Sequence, residues 1–188
     1  MALESNMLPL GTALPDAILP DLDGADLNVA SYADGRPLLV MFVCNHCPYV
    51  RHVEHALADV LTPFDQDLAV VAICSNDTEE YPDDDVDGLR EQQSRAGWTF
   101  PYLVDADQSV ALAFHAACTP DFFLFNRAQT LAYRGAFDGS TPKNGATLDG
   151  ALLTDAITHV LNNEAVPEPH RPSMGCGIKW KSGNDPNA

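Results

Sequence analysis

Residues 36–52 read "RPLLVMFVCNHCPYVRH", and the way this apolar run breaks decides the fold. Pro37 to Val43 is unbroken apolar chain, the mark of a strand buried on both faces. Cys44 and Cys47 then follow as C-x-x-C, with Pro48 directly after the second cysteine. Proline suits a helix's first turn and disrupts its interior by about 3 kcal/mol. Pro48 therefore marks the first helical position, and Val50, Val53, Ala56, Leu57 and Leu61 recur beyond it at helical spacing. The stretch reads as strand, dithiol loop, helix.

Working outward, "LAVVAICS" (68–75) is a second buried strand, so the first half gives strand, helix, strand: a parallel pair with a right-handed crossover. Ahead of it, apolar pieces around the turn dipeptide Asp23-Gly24 predict a small hairpin, and residues 1–16 a loosely tied arm. Behind it come an acidic loop (76–88), a helix over 86–96 and a short strand within 98–105. A short helix over 109–117 follows, capped by Asp107 or Ser109. "DFFLFN" and "LAYRGAF" form an antiparallel hairpin, and a last helix covers about 151–162. The order predicts an α/β, thioredoxin-like fold: a central mixed sheet with helices on both faces, an N-terminal hairpin and an extended C-terminal tail. The expected division is one domain over 1–165 and a Pro- and Gly-rich tail over 166–188.

The chain has 188 residues, 46% of them hydrophobic and 20% charged, which fits one soluble globular core. A net charge of −17 argues against nucleic acid or an anionic membrane as partner. The N-terminus lacks the basic and apolar regions of a secretory signal, and no stretch reaches the roughly 18 to 20 apolar residues of a membrane span. The expected location is cytoplasmic. Five cysteines, an odd number, argue against a secreted disulfide scaffold.

If Pro48 is the first helical residue, Cys47 is the N-cap, where unpaired N–H groups and the helix dipole stabilise a thiolate. Cysteines so placed drop to a pKa of about 3.5–7.5. Cys47 is thus the candidate nucleophile, with Cys44 near enough to be its disulfide partner. His46 either adds positive charge or points to solvent.

The stretches "LLVMFVCNHCPYVRH" (38–52), "ICSND" (73–77), "YPDD" (81–84), "ACTPDFFLFN" (117–126) and "GCGIKWK" (175–181) resemble the peroxiredoxin-like branch of the thioredoxin superfamily, related to the alkyl hydroperoxide reductase/thiol-specific antioxidant family. The likeness runs from about Gly11 to Lys181. It implies an oxidoreductase with antioxidant activity, a cis peptide bond between Thr119 and Pro120, and Thr119 backbone offered to an incoming sulfur or peptide. It also implies departures. Peroxiredoxins resemble PxxxTxxC around their peroxidatic cysteine; aligned on Cys47, this chain has Cys44 at the threonine, with Leu39 and Val40 near the proline. Pro120 falls where their activating Arg belongs. Against thioredoxins, whose nucleophile comes first, a Cys47 nucleophile leaves Val50 at the second cysteine position. The partner of Cys47 must be Cys44 or a cysteine from elsewhere.

Cys118, two residues before Pro120, and Cys176, between two glycines, are the further resolving candidates; a buried small hydrophobe is the plain alternative for Cys118. Cys74 belongs to the core. "DDDVDG" (83–88) has the opening spacing of a calcium loop in Asp83, Asp85, Asp87 and Gly88, but its twelfth position is Ser94, so a solvated acidic loop is expected. His52 and His55, one turn apart, suit a wet helix face better than a metal. Lys179, Trp180 and Lys181 would clamp the tail to the acidic body, and Trp98 fills core.

The expected function is a thiol–disulfide oxidoreductase with Cys47 as nucleophile. The alternatives are a thiol peroxidase, a copper or zinc carrier using Cys44 and Cys47 with a histidine, and an idle binding module. No cofactor and no resident metal are expected. The partners are a protein or small-molecule disulfide or peroxide and a thiol reductant, with no nucleic acid or membrane; a homodimer stays open.

Overall fold

The computed structural model describes residues 2–186. In chain order the elements begin with β1 (Ala2–Glu4), β2 (Ile18–Pro20), β3 (Asp26–Asn28), α1 (Val29–Ala33), β4 (Leu38–Phe42), α2 (Pro48–Leu61) and β5 (Ala69–Cys74). They continue with α3 (Val86–Ala96), β6 (Tyr102–Val104), α4 (Ser109–Ala113), β7 (Cys118–Thr119), β8 (Asp121–Phe125), β9 (Leu131–Gly135), α5 (Ala151–Leu161) and β10 (Met174–Gly177).

The central sheet runs β6-β5-β4-β8-β9. Strand β4 lies parallel to β5 and antiparallel to β8, with Val40 opposite both Val71 and Phe123. β5–β6 is parallel and β8–β9 antiparallel, so the sheet is mixed. β4 is the middle strand and is wholly buried, which is why its sequence is a continuous apolar run. Strand side chains alternate between faces. Leu39 and Met41 accordingly join one core with residues of α2, α3 and α5, while Leu38, Val40 and Phe42 join a second with α1 and α4. The thioredoxin-like fold with helices on both faces follows.

The expected Asp23-Gly24 hairpin is present as β2–β3. Three expectations change. The short helix α4 is capped by neither Asp107 nor Ser109: Gln108 holds the N-cap position in a left-handed conformation. The buried Asp105 carboxylate reaches over to take the N–H groups of Val110 and Ala111, which a local capping rule does not foresee. Within the expected arm over 1–16, of which residue 1 lies outside the described residues, the chain is tied down, because β1 pairs with β10. The tail after residue 165 is extended but not free: β10 is the middle strand of a three-stranded sheet, β1-β10-β7. Past β10 the Lys179 carbonyl accepts from the Asp77 amide and the Gln108 side chain, and the Lys179 amide donates to Asn76. The tail clamp is thus mainly backbone hydrogen bonding rather than the lysine charges. Among the described residues no helix is long and apolar enough to cross a membrane.

Phe114, fully buried at the end of α4, meets Phe42, Phe123 and Phe125 edge to face, with ring centroids 5.3, 5.4 and 5.9 Å away. Removing such a side chain loses both apolar burial and packing. Phe114→Ala should cost about 3–5 kcal/mol, read as a fall in denaturant midpoint at unchanged m-value.

Candidate active site

Strand β4 ends at Phe42, and within five residues the chain turns into α2 at Pro48, which occupies the helix's first turn. Cys47 is the N-cap, in extended conformation, and its carbonyl accepts the first helical hydrogen bond, from Arg51 N–H at 2.9 Å. The position expected for the nucleophile is therefore met. The Cys47 side chain has no exposed surface. The sulfur is enclosed by Cys44, Thr119 and Cys176, all within hydrogen-bonding reach. The tail strand covers it, a contact that the helix-start reading does not foresee.

The Cys47 thiol is held down to about 4. The largest cause is the Cys44 thiol donating to it; burial works in the opposite direction, and Thr119, the Val50 amide and Cys176 add support. The sulfur makes no capping hydrogen bond of ordinary geometry, so the helix terminus helps through proximity. Cys44 is pushed well above the usual range, first by donating to Cys47 and then by burial and the nearby Asp84 charge. The Cys44–Cys47 contact thus acts oppositely on the two thiols, lowering Cys47 and raising Cys44. One contact favours the protonated form of Cys47, the Thr119 carbonyl oxygen 3.1 Å from its sulfur.

Thr119 touches both sulfurs, since its hydroxyl lies 3.4 Å from Cys44 Sγ. The Thr119–Pro120 bond is cis, as the resemblance implied. Cys176, half-buried on β10, sits opposite Thr119 and is pushed up to about 11 by burial and by its hydrogen bond to Cys47. Cys118 is fully buried with its thiol toward the Pro120 carbonyl, 3.7 Å away, and burial raises it strongly. The packing alternative fits Cys118. Cys74 is likewise buried and raised by burial. All five cysteines are free thiols.

His46 does not simply point to solvent. Its Nδ1 lies 2.6 Å from Asp84 Oδ2, and its ring stacks on Tyr81 with centroids 5.4 Å apart. Asp84 also accepts the backbone N–H groups of Asn45 (2.8 Å) and His46 (3.0 Å) and the Asn76 side chain (2.7 Å). Burial acts to raise Asp84, but these donors, His46 foremost, hold it below the usual carboxylate range. In return the Asp84 hydrogen bond raises His46, against burial and the Lys179 charge. The Asp84 contact thus favours the protonated form of His46.

Asp84, the carboxylate that the calcium spacing skips, is the functional residue that sequence reasoning missed; only its place in "YPDD" flagged it. Asp83 and Asp84 fall in one turn of 3₁₀ helix, while Asp85 caps α3. The loop is held by further residues with no sequence signal. Gln92 donates to the Cys44 carbonyl at 3.1 Å, and Arg51 and Arg95 both donate to Asn45 Oδ1. Arg95 also forms a two-pronged ion pair with buried Glu54, at 2.9 and 3.0 Å. His52 donates to or accepts from Ser140 at 3.0 Å while His55 is exposed, so they do not converge on an ion.

For a metal, Cys44, His46 and Asp84 place ligand atoms within 4.8 Å of one another. That set differs from the Cys44–Cys47 pair considered for a carrier. It fits an ion poorly, because both Asp84 oxygens already accept N–H groups and Asp84 engages His46 Nδ1.

A family model described as the AhpC/TSA family matches residues 10–134. The chain belongs to the AhpC/TSA family. It is an oxidoreductase that acts through thiol chemistry. Two solved structures resemble nearly all of it: a conserved protein from Geobacillus kaustophilus, 40% identical at TM-score 0.94 over 97% of this chain and 98% of that one, and a hypothetical protein from Sinorhizobium meliloti, 44% identical at 0.92 over 96% and 99%. The peroxidoxin BcpB of Mycobacterium tuberculosis, 17% identical at TM-score 0.61 over 82% of this chain and 96% of that one, shares the fold. No curated protein matches the sequence. The guanidinium groups of Arg51 and Arg95 are engaged with Asn45 and Glu54.

If the Cys44 proton sets the acidity of Cys47, its removal should show in thiolate absorbance at 240 nm. Cys44→Ala should move the Cys47 midpoint up from about 4 toward the ordinary thiol range, and Cys44→Ser, which keeps a donor, should stay well below Cys44→Ala. Above its midpoint the thiolate predominates, so wild-type absorbance should be flat from pH 6 to 8.

Proposed function

We propose that the protein is a thiol–disulfide oxidoreductase with Cys47 as nucleophile and Cys44 as its resolving partner. The observation that carries this reading is the geometry of the dithiol: Cys47 is the N-cap of α2 and the Cys44 thiol donates to its sulfur, a contact that lowers Cys47 and raises Cys44. The Cys47 thiolate attacks one sulfur of a disulfide RSSR, forming Cys47–S–S–R and releasing RS⁻. The RS⁻ takes up the Cys44 proton. The Cys44 sulfur then attacks Cys47, closing a Cys44–Cys47 disulfide and expelling the second RS⁻, which is protonated from solvent. A thiol reductant restores both cysteines. Asp84 raises His46 and so favours a positive neighbour for the departing thiolate. Thr119 and Pro120 supply the wall against which the substrate sulfur aligns. Residues 1–165 are the redox domain, with 166–188 as the tail that closes on it. Five free thiols suit a reducing compartment, the cytoplasm.

Peroxide reduction is the second reading, favoured by the AhpC/TSA match. The same thiolate would attack the terminal oxygen of the hydroperoxide, breaking the O–O bond and expelling alkoxide or hydroxide, which is protonated as it leaves; the resulting sulfenic acid then condenses with the Cys44 thiol to a disulfide and water. No free guanidinium stands ready among Arg51 and Arg95 to polarise the peroxide, which ranks this reaction below disulfide exchange.

The test is a single-turnover reaction of the reduced protein with 2-hydroxyethyl disulfide, counting thiols by mass spectrometry. Cys47→Ser should slow the reaction by roughly 10³-fold or more. Cys44→Ser should accumulate a Cys47 mixed disulfide more than the wild type does. Hydrogen peroxide should react at less than a tenth of the disulfide's catalysed rate. Undiminished turnover in Cys47→Ser would overturn the assignment.

A further inference from the structure

The edge of the chain that presents Thr119 is where an extended substrate segment would add as a strand, because its carbonyl and hydroxyl reach both sulfurs. That edge is already taken. β10 pairs with it antiparallel, placing Cys176 opposite Thr119 and Gly177 opposite Cys118. The protein's own tail thus lies where a disulfide-bearing peptide would lie, with a cysteine at the register position from which a sulfur reaches Cys47.

The fit is close and specific. A Cβ on Gly175 would sit 1.9 Å from the Thr119 carbonyl oxygen and 2.5 Å from its carbon, both backbone atoms that cannot swing aside. One on Gly177 would come within 2.9 Å of Leu3 Cδ1. Gly175 is what lets the strand press against the cis-proline loop while Cys176 presents a thiol, whereas the Leu3 side chain can move away from position 177. β10 is also paired on its other edge, with Cys176 opposite Ala2, and anchored on both sides in sequence. Ser173 accepts from the Ser5 amide and donates to the Gly135 carbonyl, and Lys179 is held by Asp77, Asn76 and Gln108.

We propose that β10 is a built-in occupant of the substrate-peptide groove, and that it restricts the site to small disulfides. The proposal rests on Cys47 being the nucleophile. A small disulfide needs only rotation of the Cys176 side chain, a fast rotamer change. A disulfide embedded in a polypeptide brings chain on both sides of its sulfur, so it must strip β10 from both β1 and β7 before it can dock. The tail is in this way a specificity determinant acting through exclusion.

The experiment compares single-turnover rates of the reduced full-length protein with 2-hydroxyethyl disulfide and with insulin. In wild type the small disulfide should react at least a hundredfold faster. Gly175→Ala, which forces β10 off Thr119, should raise the ratio of the insulin rate to the small-disulfide rate at least tenfold. Should that variant not fold, Leu3→Pro, which disturbs the β1–β10 pairing at an exposed edge residue, takes its place with the same tenfold rise expected and the same result overturning the proposal. Comparable wild-type rates with insulin and the small disulfide would overturn the exclusion while leaving Cys47 as nucleophile. Failure of Cys47 to react with either disulfide would overturn both readings. A wild-type preference that Gly175→Ala, folded, leaves unchanged would show that something other than β10 sets it, and would overturn the proposal.

Discussion

A negatively charged sulfur held out of water is the constraint from which the rest of the site follows. Moving an isolated charge from water into a protein interior costs several kcal/mol, and a buried ionisable group ordinarily gives up its charge instead. Cys47 keeps its charge because the surroundings supply donors in place of water: the Cys44 thiol above all, then the Thr119 hydroxyl, the Val50 amide and the Cys176 thiol. Each of these donors comes from a different element, so the acidity of one atom depends on the assembly of the β4–α2 turn, the cis-proline loop and the tail. The site cannot form before the fold does.

Asp84 makes this harder, and the solution adopted is informative. A buried carboxylate close to a thiolate raises the cost of both charges, and Asp84 does raise Cys44. Surface carboxylates matter less, although the chain carries a net −17, since charges beyond about 10 Å are largely screened at 0.1 M salt. What balances Asp84 is His46. His46 sets its ring against one Asp84 oxygen and its own backbone N–H on the other. The contact raises His46 and lowers Asp84, so each group favours the charged form of the other. A lone histidine in the same loop would titrate with no such bias.

How much of this the sequence disclosed depended on whether a residue's partner lay nearby in the chain. The helix start at Pro48 and the N-cap position of Cys47 are local matters of proline sterics, and both were legible. So were the two buried parallel strands, because burial on both faces leaves a continuous apolar run. Asp84 was opaque, since nothing local distinguishes it from Asp83 or Asp85: all three sit in one acidic run, and only the long-range fold turns one inward. Asp105 capping α4 from five and six residues away was missed for the same reason. The burial of Cys47 was missed because the covering strand lies nearly 130 residues downstream and is itself too Gly-rich to show strand propensity.

That last point explains an otherwise odd choice of residues. Glycine in a strand interior loses entropy on ordering and has no side chain to pack, so Gly-Cys-Gly is a poor strand sequence. β10 exists because pairing on both edges compensates for that weakness. A stronger strand sequence, with side chains at 175 and 177, would meet the Thr119 carbonyl and Leu3. Close approach and high intrinsic stability are therefore exclusive here, and the chain has close approach. β10 is consequently held by the strands on both its edges rather than by any strand propensity of its own residues.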